Sequence, residues 1–257
     1  MSKRHKVYFA AVFSALILFL AYWNFARPVR TETELCNWSI AEAGAGKSDS
    51  VSLPLKKSGF LRASAKLEPV DIDKGKIAEL ELRGEFSGAE VFVNSVPVRA
   101  RIAAADLACA EVSQALVPGK ENFITVCLSP AAGGFAELAG AKIVVKNGIS
   151  VDCGGVAASV REVGAEFARV AVSARIANRS GSPEVLSAHF LITNARGSVL
   201  AKREAKFETV GGSVSSVSAE LKISGSDLPG KIFNAEVSIT RGTEILDSSR
   251  AAFEIKK

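Results

Sequence analysis

The chain has few of the side chains that catalytic and sugar-binding sites most often use. Its 257 residues include two histidines, two tyrosines, two tryptophans and one methionine. Both tyrosines and one tryptophan lie before residue 27, so Trp38 is the one large polar aromatic residue in the remainder. Flat aromatic faces are therefore scarce, which argues against a strong sugar-stacking site.

Metal-ligating and nucleophilic residues are equally scarce. Outside the N-terminal region the chain has one histidine, His189, and its four cysteines lack C-x-x-C spacing. This excludes the usual zinc sites and a Cys–His nucleophile, and we predict no metal and no cofactor. His189 lies in an apolar segment, which favours a structural role.

Charge is distributed unevenly along the chain. The formal net charge is +5, from 32 basic and 27 acidic residues. Residues 1–30 contain five basic residues and no acidic one, namely Lys3, Arg4, Lys6, Arg27 and Arg30. The remainder is therefore neutral overall, and the basic balance gives no argument for nucleic acid as a partner.

The longest stretch without a charged residue, residues 7–26, predicts a membrane anchor. As a helix, twenty residues span about 30 Å, the thickness of the hydrocarbon core. Lys3, Arg4 and Lys6 precede it, so we expect a cytoplasmic N-terminus. This predicts a single-pass protein of the cell (inner) membrane, with residues 1–30 as tip and anchor and the rest on the periplasmic or extracellular side.

A cleaved signal peptide is the alternative to an anchor. Its apolar core would be shorter, about 7–15 residues, and a small-residue cleavage site would follow. Cleavage after Ala26 would place Asn24 at a position that prefers a small residue. An uncleaved anchor therefore explains the pattern better.

Export to an oxidising compartment would allow the four cysteines to form disulfides. Cys36, Cys109, Cys127 and Cys153 permit three pairings, and the sequence does not choose among them. Cys127 lies in the middle of a predicted strand and resembles a buried free thiol. A Cys36–Cys153 bond would tie together the beginnings of two predicted domains.

Residues 88–130 have the most informative pattern in the chain. Val91 and Val93 lie on one face of a predicted strand, Asn94–Ser95 forms a turn, and a second strand begins at Val96. A polar loop is predicted to follow. A Pro-Gly turn at 118–119 then leads into a strong strand over 124–128.

Alternating apolar residues and Gly, Asn and Pro turns predict many more strands. They cover residues 60–67, 77–82, 170–177, 189–193, 199–207, 214–223 and 233–239, and 149–160 is predicted to be a strand pair. Short strands at this spacing predict an all-β chain built of β-sandwiches.

Several motifs in this order resemble the N-terminal part of glycoside hydrolase family 2, the β-glucuronidase and β-galactosidase family. They are VFVN at 91–94, EVS at 111–113, LVPGK at 116–120, ITV at 124–126, GGF at 133–135 and FEIK at 253–256. The resemblance covers residues 35–256. It implies a galactose-binding-like jelly-roll sandwich over 31–148 and an immunoglobulin-like sandwich over 149–257.

The resemblance also bears on catalysis. In the family both catalytic glutamates lie on a barrel that follows these two domains, and the acid/base glutamate is preceded by Asn. This sequence contains no Asn-Glu dipeptide. We therefore expect a protein that is not an enzyme.

The remaining functional hypotheses concern binding. The family's aromatic loop near the substrate reads AAAD at 103–106 here, which removes an aromatic residue. The polar residues Arg99, Arg101 and Asp106 are the predicted ligand-binding residues. We expect an interaction or scaffold subunit of the cell envelope that contacts a protein partner or polysaccharide. The alternatives are a membrane-tethered carbohydrate-binding module and an accessory subunit of a glycosidase with a separate catalytic chain.

Overall fold

The computed structural model of the chain describes residues 30–40, 50–225 and 228–256, and its regular elements are all β-strands. These ranges contain no helix with the length and apolar character needed to cross a membrane. The anchor predicted over residues 7–26 lies outside the described residues. The all-β prediction is confirmed for the described part of the chain.

Twelve strands form the N-terminal sandwich. They are β1 (Thr31–Glu34), β2 (Trp38–Ile40), β3 (Ser50–Val51), β4 (Leu55–Ser58), β5 (Leu61–Leu67), β6 (Lys76–Glu85), β7 (Gly88–Val93), β8 (Val96–Val98), β9 (Ala100–Ala104), β10 (Leu107–Glu111), β11 (Asn122–Ser129) and β12 (Phe135–Asn147). One sheet has the order β1-β12-β6-β10-β9, with β4 also paired to β12, and the other has the order β3-β2-β5-β11-β7-β8.

Alternation along these strands builds the core between the two sheets. Leu80 and Leu82 of β6 and Ile143 of β12 meet Ile124 and Val126 of β11, all almost fully buried. Each strand turns every second side chain to the same face, so one apolar set fills the space between the sheets.

Trp38 has a structural role. Its side chain is fully buried in this core. The indole N–H donates a hydrogen bond to the Leu35 carbonyl at 2.8 Å, which satisfies its one polar group.

Seven longer strands form the C-terminal sandwich. They are β13 (Ile149–Val163), β14 (Phe167–Asn178), β15 (Glu184–Asn194), β16 (Val199–Thr209), β17 (Ser213–Ser224), β18 (Ile232–Arg241) and β19 (Glu244–Glu254). Their sheets have the orders β13-β14-β17 and β16-β15-β18-β19. A second core, centred on Phe190, Ile176 and Val237, lies between these sheets.

The predicted turn at Asn94–Ser95 is confirmed by its backbone. Both residues have positive φ, 51° and 69°, as a two-residue hairpin turn that follows the twist of the strands requires. The Asn94 side chain adds hydrogen bonds from Nδ2 to the Ala115 carbonyl at 3.1 Å and to Asn122 Oδ1 at 2.7 Å. The hairpin is therefore tied to the beginning of β11.

Two strand predictions are wrong. The segment after β8, predicted as a polar loop, forms β9 and β10. Residues 107–110 are all buried because the core covers one face of β10 and the C-terminal sandwich covers the other, so the strand shows no alternation. Residues 149–160, predicted as a strand pair, belong to one bulged strand, β13.

The suggested Cys36–Cys153 bond is also wrong. Cys153 pairs with Cys109, and both are buried, whereas Cys36 is exposed at the surface. Cys127 is unpaired, as expected, but only half-buried. Burial raises the pKa of its thiol, an effect that Arg62 opposes and Glu90 reinforces.

Candidate functional site

The candidate site is the contact between the two sandwiches, because charged side chains converge there. On β6, Leu80 and Leu82 point into the N-terminal core, and Glu79 and Glu81 point to the opposite face. On that face the Cys153 sulfur of β13 lies within 4.8 Å of both carboxylates, β19 contacts the neighbouring strand β12, and both glutamates are buried.

Glu79 and Lys146 form the most deeply buried ion pair in the described part of the chain. Lys146 Nζ lies 2.5 Å from Glu79 Oε2, and both side chains are at most 2% exposed. The same ammonium donates a hydrogen bond to the Val151 carbonyl on β13 at 3.1 Å. Lys146 thus joins a carboxylate of one sandwich to the backbone of the other.

Asp152 on β13 receives an arginine from each sandwich. Its Oδ1 accepts a hydrogen bond from Arg101 of β9 at 2.5 Å, and its Oδ2 accepts one from Arg175 of β14 at 2.5 Å. Asp152 is 3% exposed, so its charge depends on these two cations.

Arg30 makes a third link, just before β1. Its guanidinium donates to Glu81 at 3.1 Å and to the Ser248 carbonyl of β19 at 3.2 Å. Asp247 Oδ2 accepts the Val151 N–H at 3.0 Å. Asp247 Oδ1 has no hydrogen-bond partner among the described residues and lies 3.9 Å from Arg30. Burial raises the pKa of Asp247, although the charges of Arg30 and Lys146 oppose the shift.

The Cys109–Cys153 disulfide crosses the same contact. Cys109 lies on β10 of the N-terminal sandwich and Cys153 on β13, one residue after Asp152. Leu107 and Ala103 pack against the disulfide and form a small apolar cluster. The covalent link and the ion pairs therefore hold the same two surfaces together.

A cleft of about 970 Å³ opens beside this contact. Its charged lining residues are Arg30, Arg83, Lys142, Lys146 and Arg250, together with Glu32, Glu81, Asp106, Asp152 and Glu236. The signs are balanced, and the lining residues from the described part of the chain include no aromatic residue. The cleft therefore offers hydrogen-bonding groups without a stacking surface.

One wall of the cleft shows how its charges compensate one another. Glu32 Oε2 lies 2.8 Å from Lys142 Nζ, and Glu32 Oε1 lies 3.2 Å from Arg30 Nε. Burial acts to raise the pKa of Glu32, but the hydrogen bond and charge of Lys142, together with Arg30, outweigh it and the pKa is lowered.

The three predicted ligand-binding residues do not form one site. Arg101 is held by Asp152 in the contact between the sandwiches. Asp106 lines the cleft, 3.6 Å from Arg83. Arg99 is exposed, between β8 and β9, and does not line the cleft.

The residues that build the contact were not found by sequence reasoning. The sequence shows only that Glu79 and Glu81 alternate with core leucines. This pattern is the same whether the outer face of a strand contacts solvent or a second sandwich. Glu79, Glu81 and Cys153 also bring potential metal ligands within 4.8 Å of one another. However, the sulfur is in the disulfide, and Lys146 and Arg30 occupy the carboxylates.

No protein-family model and no curated protein matches the sequence. Solved structures with the same fold are β-glucuronidases and other members of glycoside hydrolase family 2. One β-glucuronidase of the family superposes with a TM-score of 0.73 at 14% identity, over 89% of this chain and 31% of its own. A family member from Bacteroides cellulosilyticus gives 0.72 at 14%, over 87% and 36%.

The β-glucuronidase of Bacteroides uniformis gives a TM-score of 0.73 at 15% identity, over 88% of this chain and 32% of its own. The chain thus spans about a third of the length of these enzymes. The resemblance noted in the sequence is confirmed as a likeness of fold, and it fits the sandwich part of such enzymes.

The buried pair makes the stability of the chain sensitive to a single truncation. We expect Lys146→Met to lower the free energy of unfolding by about 3 kcal/mol, because it leaves Glu79 charged and buried. Urea unfolding followed by circular dichroism measures this loss. Adding Glu79→Gln should recover part of it.

Lys56→Met is the matched control. Lys56 pairs with Glu137 at 3.6 Å on the surface, and its side chain is 56% exposed. Its loss should cost less than about 1 kcal/mol. Equal effects of the two lysine substitutions would contradict the role given to Lys146.

The disulfide should stabilise the folded state because it closes a long loop and so restricts the unfolded chain. Cys109 and Cys153 are separated by 44 residues, and chain-entropy reasoning gives about 4 kcal/mol for such a loop. We expect the double variant Cys109→Ser/Cys153→Ser to lose about 2–4 kcal/mol in urea unfolding. Cys36→Ser, at an exposed free cysteine, is the control and should change little.

Proposed function

We propose that the chain is a non-catalytic, membrane-anchored and exported β-sandwich protein that acts as an interaction or scaffold subunit in the cell envelope. In this proposal residues 31–148 form a galactose-binding-like jelly roll and residues 149–257 an immunoglobulin-like sandwich. The likeness of fold supports the assignment, and so does the separation of the two apolar cores between Val145 and Ile149.

The observation that carries the scaffold role is the joining of the two sandwiches. In the contact, next to a disulfide, Glu79 forms an ion pair with Lys146, and Asp152 forms ion pairs with two neighbouring arginines. Groups engaged in this way hold two modules in a fixed relation, as a spacer or platform requires.

A non-catalytic role is supported by the state of the carboxylates. A retaining glycosidase needs two carboxyl groups about 5–5.5 Å apart that face the substrate. Glu79 and Glu81 are close enough, within 4.8 Å, but Lys146 and Arg30 hold them in the contact between the sandwiches. The described elements are all strands, whereas the family resemblance places the catalytic glutamates on a barrel.

Export and anchoring are supported by the disulfide and by the charge-free run at 7–26. Disulfides persist in oxidising compartments outside the cytoplasm. A cytoplasmic N-terminus with Lys3, Arg4 and Lys6 places the sandwiches on the periplasmic side.

Fractionation of cells that express the full chain tests the anchor. We expect a product of 27.0 kDa that stays with the membrane after alkaline carbonate extraction and that protease digests in spheroplasts. The variant Leu16→Arg/Leu18→Arg places two charges in the apolar run and should lose membrane retention. A shorter, carbonate-soluble product would support the cleaved signal peptide instead.

A carbohydrate-binding module is the second candidate, because Asp106, Arg83 and Lys142 present hydrogen-bonding groups in an open cleft. A glycosidase accessory subunit would require such a site as well. Polar contacts alone can hold a sugar weakly, although the described residues that line the cleft offer no aromatic ring on which it could stack.

Binding to a glycan array separates the two candidates. We expect no specific binding by the full chain. Specific binding that is lost in Asp106→Ala or Arg83→Ala, and kept in the exposed loop variant Asp71→Ala, would overturn the scaffold proposal in favour of the module. Arg101 is unsuitable for this test because its substitution would leave Asp152 with one cation fewer.

A further inference from the structure

Strand β16 is an edge strand with an unusual pattern of charge. Among the strands of the described residues it pairs only with β15, so one side of its backbone has no strand partner there. Its exposed side chains include Lys202, Glu204, Lys206 and Glu208, which alternate in sign along one face. Ala205 and Phe207 pack against the core from the other face.

These four charges have no partner of opposite sign among the described residues. Their neighbours across the ladder on β15 are Leu191, His189, Ser187 and Val185, respectively. None of the four makes an ion pair within residues 30–40, 50–225 and 228–256. The face is thus complementary to something that the chain does not itself provide.

The backbone of β16 presents the same residues to a partner. The Asn194 N–H donates to the Ser198 carbonyl at 3.1 Å, so the Asn194 backbone faces β16. Backbone N–H and C=O groups alternate in direction along a strand. In the register that starts from Asn194, the backbone groups of Ala201, Arg203 and Ala205 therefore point toward β15. The N–H and C=O groups of the four charged residues therefore point away from the sheet.

An antiparallel copy of the same strand satisfies both the charges and the backbone. With Ala205 on a two-fold axis, Lys202 lies opposite Glu208 of the other copy, and Glu204 lies opposite Lys206. The axis repeats both pairs, and all of these residues turn their backbone groups toward the partner strand.

The other edges of the described sheets are less suited to such pairing. The edges of the N-terminal sandwich are short, with β1 at four residues, β9 at five, β3 at two, and β8 at three including Pro97. Strand β13 has two register shifts, whereas β16 has one, near its beginning at Leu200. Natural edges are usually protected by such features, and β16 has 11 residues with neither Pro nor Gly.

The two remaining long edges carry fewer complementary charges. On β19, Arg250 and Glu254 can form one kind of pair across a two-fold axis. On β17, Glu220 and Lys222 can do the same, but the Glu220 carbonyl already accepts a hydrogen bond from Arg203 at 3.1 Å. Only β16 offers two kinds of pair.

We propose that this chain forms a homodimer by antiparallel pairing of β16 with β16 of a second copy, which joins the four-stranded sheets of two C-terminal sandwiches into one eight-stranded sheet. The interface is isologous, since each copy contributes the same strand. It is independent of the membrane anchor and of any glycan.

Charge reversal on the full chain tests this dimer. Sedimentation velocity in detergent should give twice the chain mass of 27.0 kDa for the unaltered protein. Lys206→Glu or Glu204→Lys makes both central pairs repulsive and should weaken dimerisation by at least about tenfold. The double variant Glu204→Lys/Lys206→Glu restores opposite charges and should restore the dimer.

Lys222→Glu on β17 is the matched control and should leave the dimer intact. A chain that stays monomeric at all concentrations would overturn the proposal. A dimer unchanged by Lys206→Glu, or a double variant no better than the single ones, would place the contact on another surface. A complex with a different protein through β16 would replace the second copy as the occupant.

Crosslinking provides an independent measurement in membranes. In a Cys36→Ser background, Ala205→Cys brings two thiols together on the axis, at a Cα separation of about 4.5 Å that a disulfide can span. Diamide, as oxidant, should convert the chain to a covalent dimer. Ala252→Cys on β19 is the control, and a dimer in that variant but not in Ala205→Cys would contradict the register.

Discussion

The arrangement of the whole molecule depends on the burial of charge between the two sandwiches. Glu79, Lys146 and Asp152 would be hydrated if the sandwiches were apart, and docking removes that water. Their mutual attraction offsets the loss only when donors and acceptors meet in the right geometry. A shifted arrangement would leave at least one buried charge without a partner, so the network fixes the relative position of the modules more than it adds stability.

The disulfide acts on the same surfaces by a different physical route. It restricts the unfolded chain, whereas the ion pairs discriminate among folded arrangements. Cys153 is the neighbour of Asp152, so forming the bond brings Asp152 near Arg101. The cleft beside the contact consequently has fixed walls, and most of the charged side chains in these walls form ion pairs.

Sequence patterns predicted the features that neighbouring residues determine, and they missed the contacts between residues far apart in the chain. The Asn94–Ser95 turn follows from two adjacent residues, and the alternation of β14 and β17 follows from one buried face. Arg101 is predicted as a ligand-binding residue because it is a polar residue of a predicted loop. Its partner, Asp152, lies 51 residues further along, and no local signal joins the two. Strand β10 was missed because burial of both faces removes alternation, and the cysteine pairing was one of three that the sequence permits.

The same local pattern can have opposite consequences, and the difference lies in what covers it. Glu79 and Glu81 alternate with apolar residues on β6, and they are buried at the contact with the second sandwich, where Lys146 and Arg30 compensate their charges. Glu204 and Lys206 alternate in the same way on β16, but nothing in the described chain covers them. Charges that alternate in sign along an unpaired edge form a surface complementary to its own antiparallel copy. The first pattern therefore joins modules within one chain, and the second has the form required to join two chains.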